Sequence, residues 1–263
     1  MEATRPVIRV YADGRSEPVT ERIAEEAAWT LRVNGRELVT LIVTPDDLED
    51  LVYGYLANEG LIHTADDVST LVIDARERQM WVRVPTLRTD PEKLGRRLLT
   101  SCCGRGRLGL YFLNDEGISP VTDPASLPVS VVPALVQALD ERASAFLHTG
   151  GVHSAGFARD GALAEVRSDV GRHNALDKLR GWMLRRRVAP DGAAIVFSGR
   201  ISAEVVVKVA RMRIPFILSN AAPTSLGRDL AEELGLTTLG FVRSGRFNLY
   251  THPERVRLEA ARP

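Results

Sequence analysis

The chain has 263 residues, 44% of them hydrophobic and 26% charged, which is enough apolar side chain for a sizeable core and far from the composition of disorder. At about 100–200 residues per domain, it holds one large domain or two modest ones. Its 34 Lys and Arg balance 34 Asp and Glu, which leaves general electrostatic affinity for nucleic acid or anionic membrane without support, and no run approaches the ~20 apolar residues of a membrane span.

The first dozen residues read as a loose terminus with one short strand, Val7–Tyr11. From Ala27 the pattern tightens: Trp29, Leu31 and Val33 alternate with polar residues, Asn34-Gly35 is a two-residue hairpin turn, and Glu37–Val43 answers as the second strand. Thr44 caps a predicted helix that has Pro45 at its first position and carries Leu48, Leu51, Val52, Tyr55 and Leu56 at helical spacing, with Gly60 as its stop. Val68–Asp74 and Met80–Val84 read as strands, and the apolar run Leu108–Leu113 follows a Pro, Gly and Arg-rich stretch. Asn114–Pro128 resembles a linker. It separates an N-terminal α+β region, residues 1–120, from an α/β region, residues 121–263.

Beyond the break, Val131–Leu147 is a predicted helix, and Val152–Phe157 and Leu163–Arg167 are strands joined at Asp160-Gly161. Helix His173–Arg187, strand Ala194–Phe197, helix Ser202–Arg213, strand Pro215–Leu218, helix Thr224–Leu234 and strands Thr237–Val242 and Phe247–Tyr250 complete the chain. This alternation predicts an α/β fold whose sheet is covered on both faces and partly parallel.

In such sheets ligands gather at the carboxyl ends of strands, where loops feed helix N-termini. Four segments sit at such places: Ser198-Gly199-Arg200, Ala222-Pro223-Thr224-Ser225, Asp169 through Asn174 with Arg172 and His173, and the turn Phe241-Val242-Arg243-Ser244-Gly245-Arg246. Each alone is an ordinary cap or turn. Together they have the chemistry of a pocket for a phosphorylated anion. Known phosphate fingerprints are absent, as are His-x-x-x-His, His-Glu-x-x-His and paired Cys-x-x-Cys, so no metal ligands are assigned.

Charge is unevenly spread. Residues 1–70 hold 14 acidic and 6 basic side chains, residues 71–114 hold 4 and 9, and residues 115–263 hold 16 and 19. Only three basic residues are lysine; arginine's planar fork suits bidentate phosphate or carboxylate binding, although a compositionally biased genome gives the same count. The only cysteines are the neighbours Cys102 and Cys103, which cannot form a disulfide framework or a zinc site. With no basic leader followed by an apolar stretch at the start, the sequence reads as cytoplasmic. Arg96, Arg97, Arg105 and Arg107 surround the two thiols, and nearby cations favour the nucleophilic thiolate. Residue chemistry assigns Cys102 to packing and leaves Cys103 open between packing and reactivity. Among the histidines, His153 and His173 fall in the densest polar motifs, while His63, His148 and His252 read as turn or helix-end residues.

Gly150-Gly151-Val152-His153-Ser154-Ala155, the ten-residue string Asp169–Lys178, Ser198-Gly199-Arg200, Ala222-Pro223-Thr224-Ser225 and Phe247 through Pro253 resemble the FdhD family of sulfur carrier proteins for formate dehydrogenase. Val33-Asn34-Gly35, Thr44 through Leu48 and Gly54 through Gly60 extend the likeness, which runs from about Glu21 to Arg255. The resemblance implies a cytidine-deaminase-like three-layer α/β sandwich with a smaller α+β accessory domain, usually dimeric. It also implies a sulfurtransferase whose cysteine takes persulfide sulfur from a cysteine desulfurase. That sulfur goes to the bis-molybdopterin guanine dinucleotide molybdenum cofactor, with apo formate dehydrogenase as the enzyme served and GDP as a fragment mimic of the cargo. Residues 121–263 then form the cofactor-binding domain, with Phe241–Arg246 as a binding segment. Many members carry Cys-Gly-x-Cys-Gly. Aligned on the glycine, Cys103 is the carrier, Cys102 takes a position that is serine in that pattern, and Gly106 replaces the second cysteine. The alternative is a chaperone that docks the cofactor without covalent sulfur transfer.

Overall fold

The computed structural model describes residues 2–88, 118–143 and 149–258. The segment with Cys102, Cys103 and Leu108–Leu113 lies outside these; the helix predicted over Val131–Leu147 ends earlier, at Arg142, with Ala143 leaving the helical region as its C-cap.

The chain begins with an antiparallel hairpin, β1 (Glu2–Val10) and β2 (Ser16–Ala24), in register from Glu2 opposite Ala24 to Val10 opposite Ser16. The expectation of a loose terminus with one short strand is corrected here. The pattern hides the ribbon because neither face is buried: Ile8, Val10 and Ile23 stay exposed. The turn is held locally, with Tyr11 N donating to Arg15 O at 2.9 Å and Arg15 Nε donating to Asp13 at 2.8 Å.

A second hairpin, β3 (Ala27–Val33) and β4 (Arg36–Val43), turns at Asn34-Gly35 with both residues at positive φ, as the sequence requires. Helix α1 (Leu48–Asn58) follows, then β5 (Thr70–Asp74) and β6 (Gln79–Arg83). These strands form a four-stranded sheet of order β4-β3-β6-β5, in which β3 and β6 run parallel. Its inner face meets α1 in a core of Leu31, Val33, Leu51, Leu56, Met80 and Val82. The helix starts at Leu48, three residues later than predicted. Thr44 is no cap; it is fully buried and faces the other half of the molecule.

After β7 (Leu127–Pro128) and α2 (Val131–Arg142) come β8 (His153–Arg159), β9 (Ala162–Asp169), α3 (Arg172–Arg185), β10 (Ala194–Phe197), α4 (Ala203–Met212), β11 (Phe216–Ser219), α5 (Ser225–Glu233), β12 (Thr237–Arg243), β13 (Arg246–Leu249) and β14 (Val256–Arg257). A mixed six-stranded sheet of order β13-β12-β11-β10-β8-β9 is the centre, with β10, β11 and β12 parallel. Period-two alternation splits it between two cores. Ile195, Phe197 and Ile217 point at α3, α4 and α5, whereas Val196, Phe216 and Leu218 point at α2. The result is three layers. Helix α4 alone buries Val205, Val206, Val209 and Met212, each contributing roughly 1.5–3 kcal/mol.

Helices α1 and α3 join the two sheets by backbone contact. A Cβ on Gly54 would lie 1.7 Å from Asp177 O, and one on Gly181 would lie 1.8 Å from Asp50 O. The two glycines therefore let the axes approach until each helix rests on the other's carbonyl. Flanking this crossing, Asp50 accepts from Arg167 Nη2 at 2.9 Å and from Arg185 Nη1 at 2.6 Å, and Arg185 also pairs with Glu49. The acidic first 70 residues and the arginine-rich second half thus meet across an internal seam. Arg167, Arg185 and Arg187 are engaged there, pairing with acidic residues of the first half.

Candidate functional site

The four segments singled out from sequence converge on one edge of the six-stranded sheet. Strands β9, β10, β11 and β12 end there, and antiparallel β8 begins there. From β9 to β12 the edge spans four inter-strand spacings, about 19 Å.

Hydroxyls stitch this edge together. Ser198 N donates to Ser154 O at 3.0 Å, and Ser198 Oγ accepts from Ser154 N at 2.8 Å. Ser219 Oγ donates to Gly199 O at 2.8 Å and accepts from Ala221 N at 3.0 Å. Thr224 Oγ1 caps α5 by accepting from Gly227 N at 3.1 Å. Ser198, Gly199 and Thr224 thus act mainly by shaping loops. A Cβ on Gly199 would lie 2.9 Å from the Phe197 ring and 3.3 Å from Arg172 Cδ, so glycine here makes room for the Arg172 side chain.

The free polar groups lie around the N-terminus of α4. Among the described residues, Nε and Nη2 of Arg172 are shut off from solvent without a hydrogen-bond partner, and Ser202 Oγ, at the helix cap, is likewise unsatisfied. Burial, and then repulsion from exposed Arg200, lower the Arg172 pKa against a smaller opposing effect of Glu204. Two guanidiniums beside the first-turn N–H groups of a helix make an anion cradle, which the Glu204 carboxylate on the same turn partly offsets at Arg172.

His173 follows in the first turn of α3, its Nε2 3.5 Å from Glu204 Oε2 on α4. One turn deeper, Asp177 takes Lys208 Nζ at 2.6 and 2.7 Å and Asn58 Nδ2 at 2.7 Å. Burial, then Lys208 and Arg172, hold the His173 pKa well below the usual imidazole range; burial also lowers that of His153, against a smaller opposing effect of Asp169. Both imidazoles are neutral at pH 7. A depressed folded-state pKa means the unfolded chain takes up protons first, so this stability is complete above about pH 6.5 and drains away as pH falls below it. The urea midpoint is expected to drop between pH 7 and 5. His173→Gln should flatten the dependence by up to one proton, about 1.4 kcal/mol per pH unit; an unchanged slope in that variant would refute the assignment.

Phe241 through Arg246 forms the tip of the β12–β13 hairpin. A register shift between Gly240 and Arg243 throws Phe241 into the left-handed region at φ 50°, where its ring is 48% exposed. For an aromatic residue this is a conformation costing about 1–3 kcal/mol. Phe241 N donates to Ala221 O, and Arg243 Nη1 donates to Asn220 O at 2.8 Å, tying the tip to the loop after β11. Val242 is buried beneath it, and Ser244, Gly245 and Arg246 are exposed.

Similarity to known proteins follows the same stretch of chain. Residues 24–257 match the FdhD/NarQ family. The chain belongs to this family. A Geobacillus kaustophilus protein named sulfur carrier protein FdhD is 41% identical over 256 residues, 97% of each chain. Its Bacillus subtilis namesake is 39% identical over 257 residues, again 97% of each. A solved structure from Desulfotalea psychrophila, described as that of a formate dehydrogenase accessory protein, has a TM-score of 0.78 at 26% identity, covering 97% of this chain and 99% of that one.

Within this FdhD/NarQ chain, several motif residues have structural work. Asp169 Oδ1 accepts from Gly171 N at 2.8 Å and Asn174 Nδ2 at 2.9 Å, while Oδ2 accepts from Thr44 N at 3.1 Å and pairs with Lys178 at 2.8 Å. His252 sits in a left-handed turn, its Nδ1 3.2 Å from Glu254. Glu204 was missed in the sequence because it lies inside a helix, with no motif around it; only its place four residues before Lys208 aligns it with the α3 ladder. Among the described residues, no cluster of three His, Cys, Asp or Glu could hold a metal ion, and no helix is long and apolar enough to cross a membrane. Cys103, the expected carrier, lies outside the described residues.

Proposed function

We propose that this protein carries sulfur as a persulfide on Cys103, from a cysteine desulfurase to the bis-molybdopterin guanine dinucleotide molybdenum cofactor that formate dehydrogenase uses. The observation that carries the reading is the set of unsatisfied cationic donors at the carboxyl edge, in a chain whose relatives are named sulfur carriers. Arg172, Arg200, Ser202 and the α4 N-terminus hold diphosphate oxygens of the cargo, with neutral His173 as a further polar contact. Phe241 offers its exposed ring to a guanine, and Arg243 and Arg246 flank it. The scaffold is of the cytidine-deaminase-like kind, and a cytoplasmic homodimer belongs to the same reading.

Loading is a thiolate exchange. The Cys103 thiolate, favoured by Arg105 and Arg107, attacks the terminal sulfur of the donor's persulfide; that sulfur's bond to the donor cysteine breaks, the donor leaves as thiolate, and Cys103 keeps the sulfur. A second reading, a chaperone that docks the cofactor without sulfur transfer, draws on the fact that the cradle needs no thiol. One experiment separates them. After incubation with a cysteine desulfurase and cysteine, peptide mass spectrometry is expected to find one added sulfur on Cys103, kept in Cys102→Ser and lost in Cys103→Ala. The Cys103→Ala protein should still bind GDP. Undiminished sulfur in Cys103→Ala would overturn the carrier assignment, and full maturation of formate dehydrogenase by it would favour the chaperone.

A further inference from the structure

Arg180 lies two turns beyond Arg172 on α3, about 12 Å along the helix from the cradle. It shares the face of Leu176 and Met183, at i−4 and i+3, where an apolar residue is expected. Instead it lines a cavity of about 260 Å³ between the end of α3 and the short turn Ala65–Asp67. Met183, Leu184, Val188, Pro190 and Ala65 make the walls apolar, and at the rim Arg187 pairs with Asp66 at 3.0 Å.

The Arg180 guanidinium takes part in no hydrogen bond or ion pair with a described residue, and its Nε is sealed from solvent. Among the described residues, the charge that acts on its titration is another cation, Arg211, which has a partner of its own. Burial and Arg211 together push the Arg180 pKa down to about 10. A half-buried cation without a counter-charge among the described residues is a cost to the fold. A counter-ion from outside the chain removes that cost.

We propose that this cavity is a binding site for a small organic acid, its carboxylate held by Arg180 and its apolar body laid against Met183, Leu184, Val188 and Pro190. The planar guanidinium matches a carboxylate in bidentate geometry. A dianion is disfavoured because the rim carries Asp66 and, of the two arginines that line the cavity among the described residues, Arg187 is already paired with it. The volume lies below the roughly 300–1,000 Å³ of drug-sized pockets, which suits a body of a few carbons.

The test compares wild type with Arg180→Met, which keeps the volume and removes the charge, and with Arg180→Gln as a second variant, using thermal unfolding and calorimetric titration. Hexanoate, acetate and inorganic phosphate are the probes. Hexanoate is expected to raise the wild-type Tm by about 5–10 °C at a hundredfold excess over Kd, acetate less and phosphate not at all. Neither variant should respond, and ligand-free Arg180→Met should melt no lower than wild type. An equal hexanoate response in wild type and both variants would overturn the proposal, as would a stronger response to phosphate than to hexanoate.

Discussion

Gly54→Ala is expected to lose at least the upper end of the ~1–3 kcal/mol that overpacking costs, and Gly181→Ala is expected to match it. In an isolated helix the same change would stabilise by about 0.5–1 kcal/mol, because alanine is the better helix former. The sign is therefore diagnostic. A methyl on either glycine would fall within 1.8 Å of a carbonyl oxygen of the opposing helix, and that oxygen is fixed in a helical ladder. The helices must separate, and with them go the neighbouring contacts of Asp50 with Arg167 and Arg185 and of Asp177 with Asn58. Gly245→Ala is the control: nothing lies within 4 Å of its added Cβ. Urea midpoints of the three variants check this. A Gly54→Ala protein as stable as wild type would mean that the helices do not cross so closely.

Why the sequence shows some of this and hides the rest is a matter of range. The strand-end loops were legible because each combines a short-range turn signal with a strand before it and a helix after it, and four such signals can point to one sheet edge without knowledge of side-chain contacts. The Asn34-Gly35 hairpin was legible for the same local reason. What escaped depends on distant partners. Thr44 looks like a helix cap from its neighbours Pro45 and Asp46, yet its hydroxyl accepts from Val170 N, 126 residues away. Gly54 and Gly181 look like ordinary helix-weakening glycines until the two helices are brought together. Arg180 did leave a trace, as a charge on an apolar stripe, but only its cavity gives that trace meaning. Arginine abundance was ambiguous: Arg167, Arg185 and Arg187 serve the seam with the acidic half, whereas Arg172 and Arg200 stand at the carboxyl edge of the sheet, where the proposed ligand would lie.

Asp169→Val is expected to cost about 3–5 kcal/mol, the range seen when one member of a buried ion pair is removed. Asp169 and Lys178 are both fully buried, and Lys178 Nζ also donates to Thr44 O at 3.0 Å and Ser168 O at 3.2 Å. Without the carboxylate these two carbonyls remain, but the charge does not find a counter-ion, and Thr44 N and Gly171 N lose their acceptors as well. Lys178→Met should be nearly as costly, because it strands the Asp169 charge among neutral donors. The double variant Asp169→Val with Lys178→Met removes both charges, so it should be clearly more stable than the two single losses add up to, with a coupling of about 0.5–3 kcal/mol. Additive losses would show that the pair acts as two independent hydrogen-bonding groups. The consequence for function follows from position. Asp169 fixes Gly171 and Asn174 on either side of Arg172 and His173 while gripping Thr44 of the N-terminal half, so the same carboxylate aims the anion cradle and joins the two halves of the chain. GDP affinity should therefore weaken in Asp169→Val even under conditions where the protein is fully folded, and stay weak in the double variant, which also lacks the acceptor for Gly171 N and Asn174.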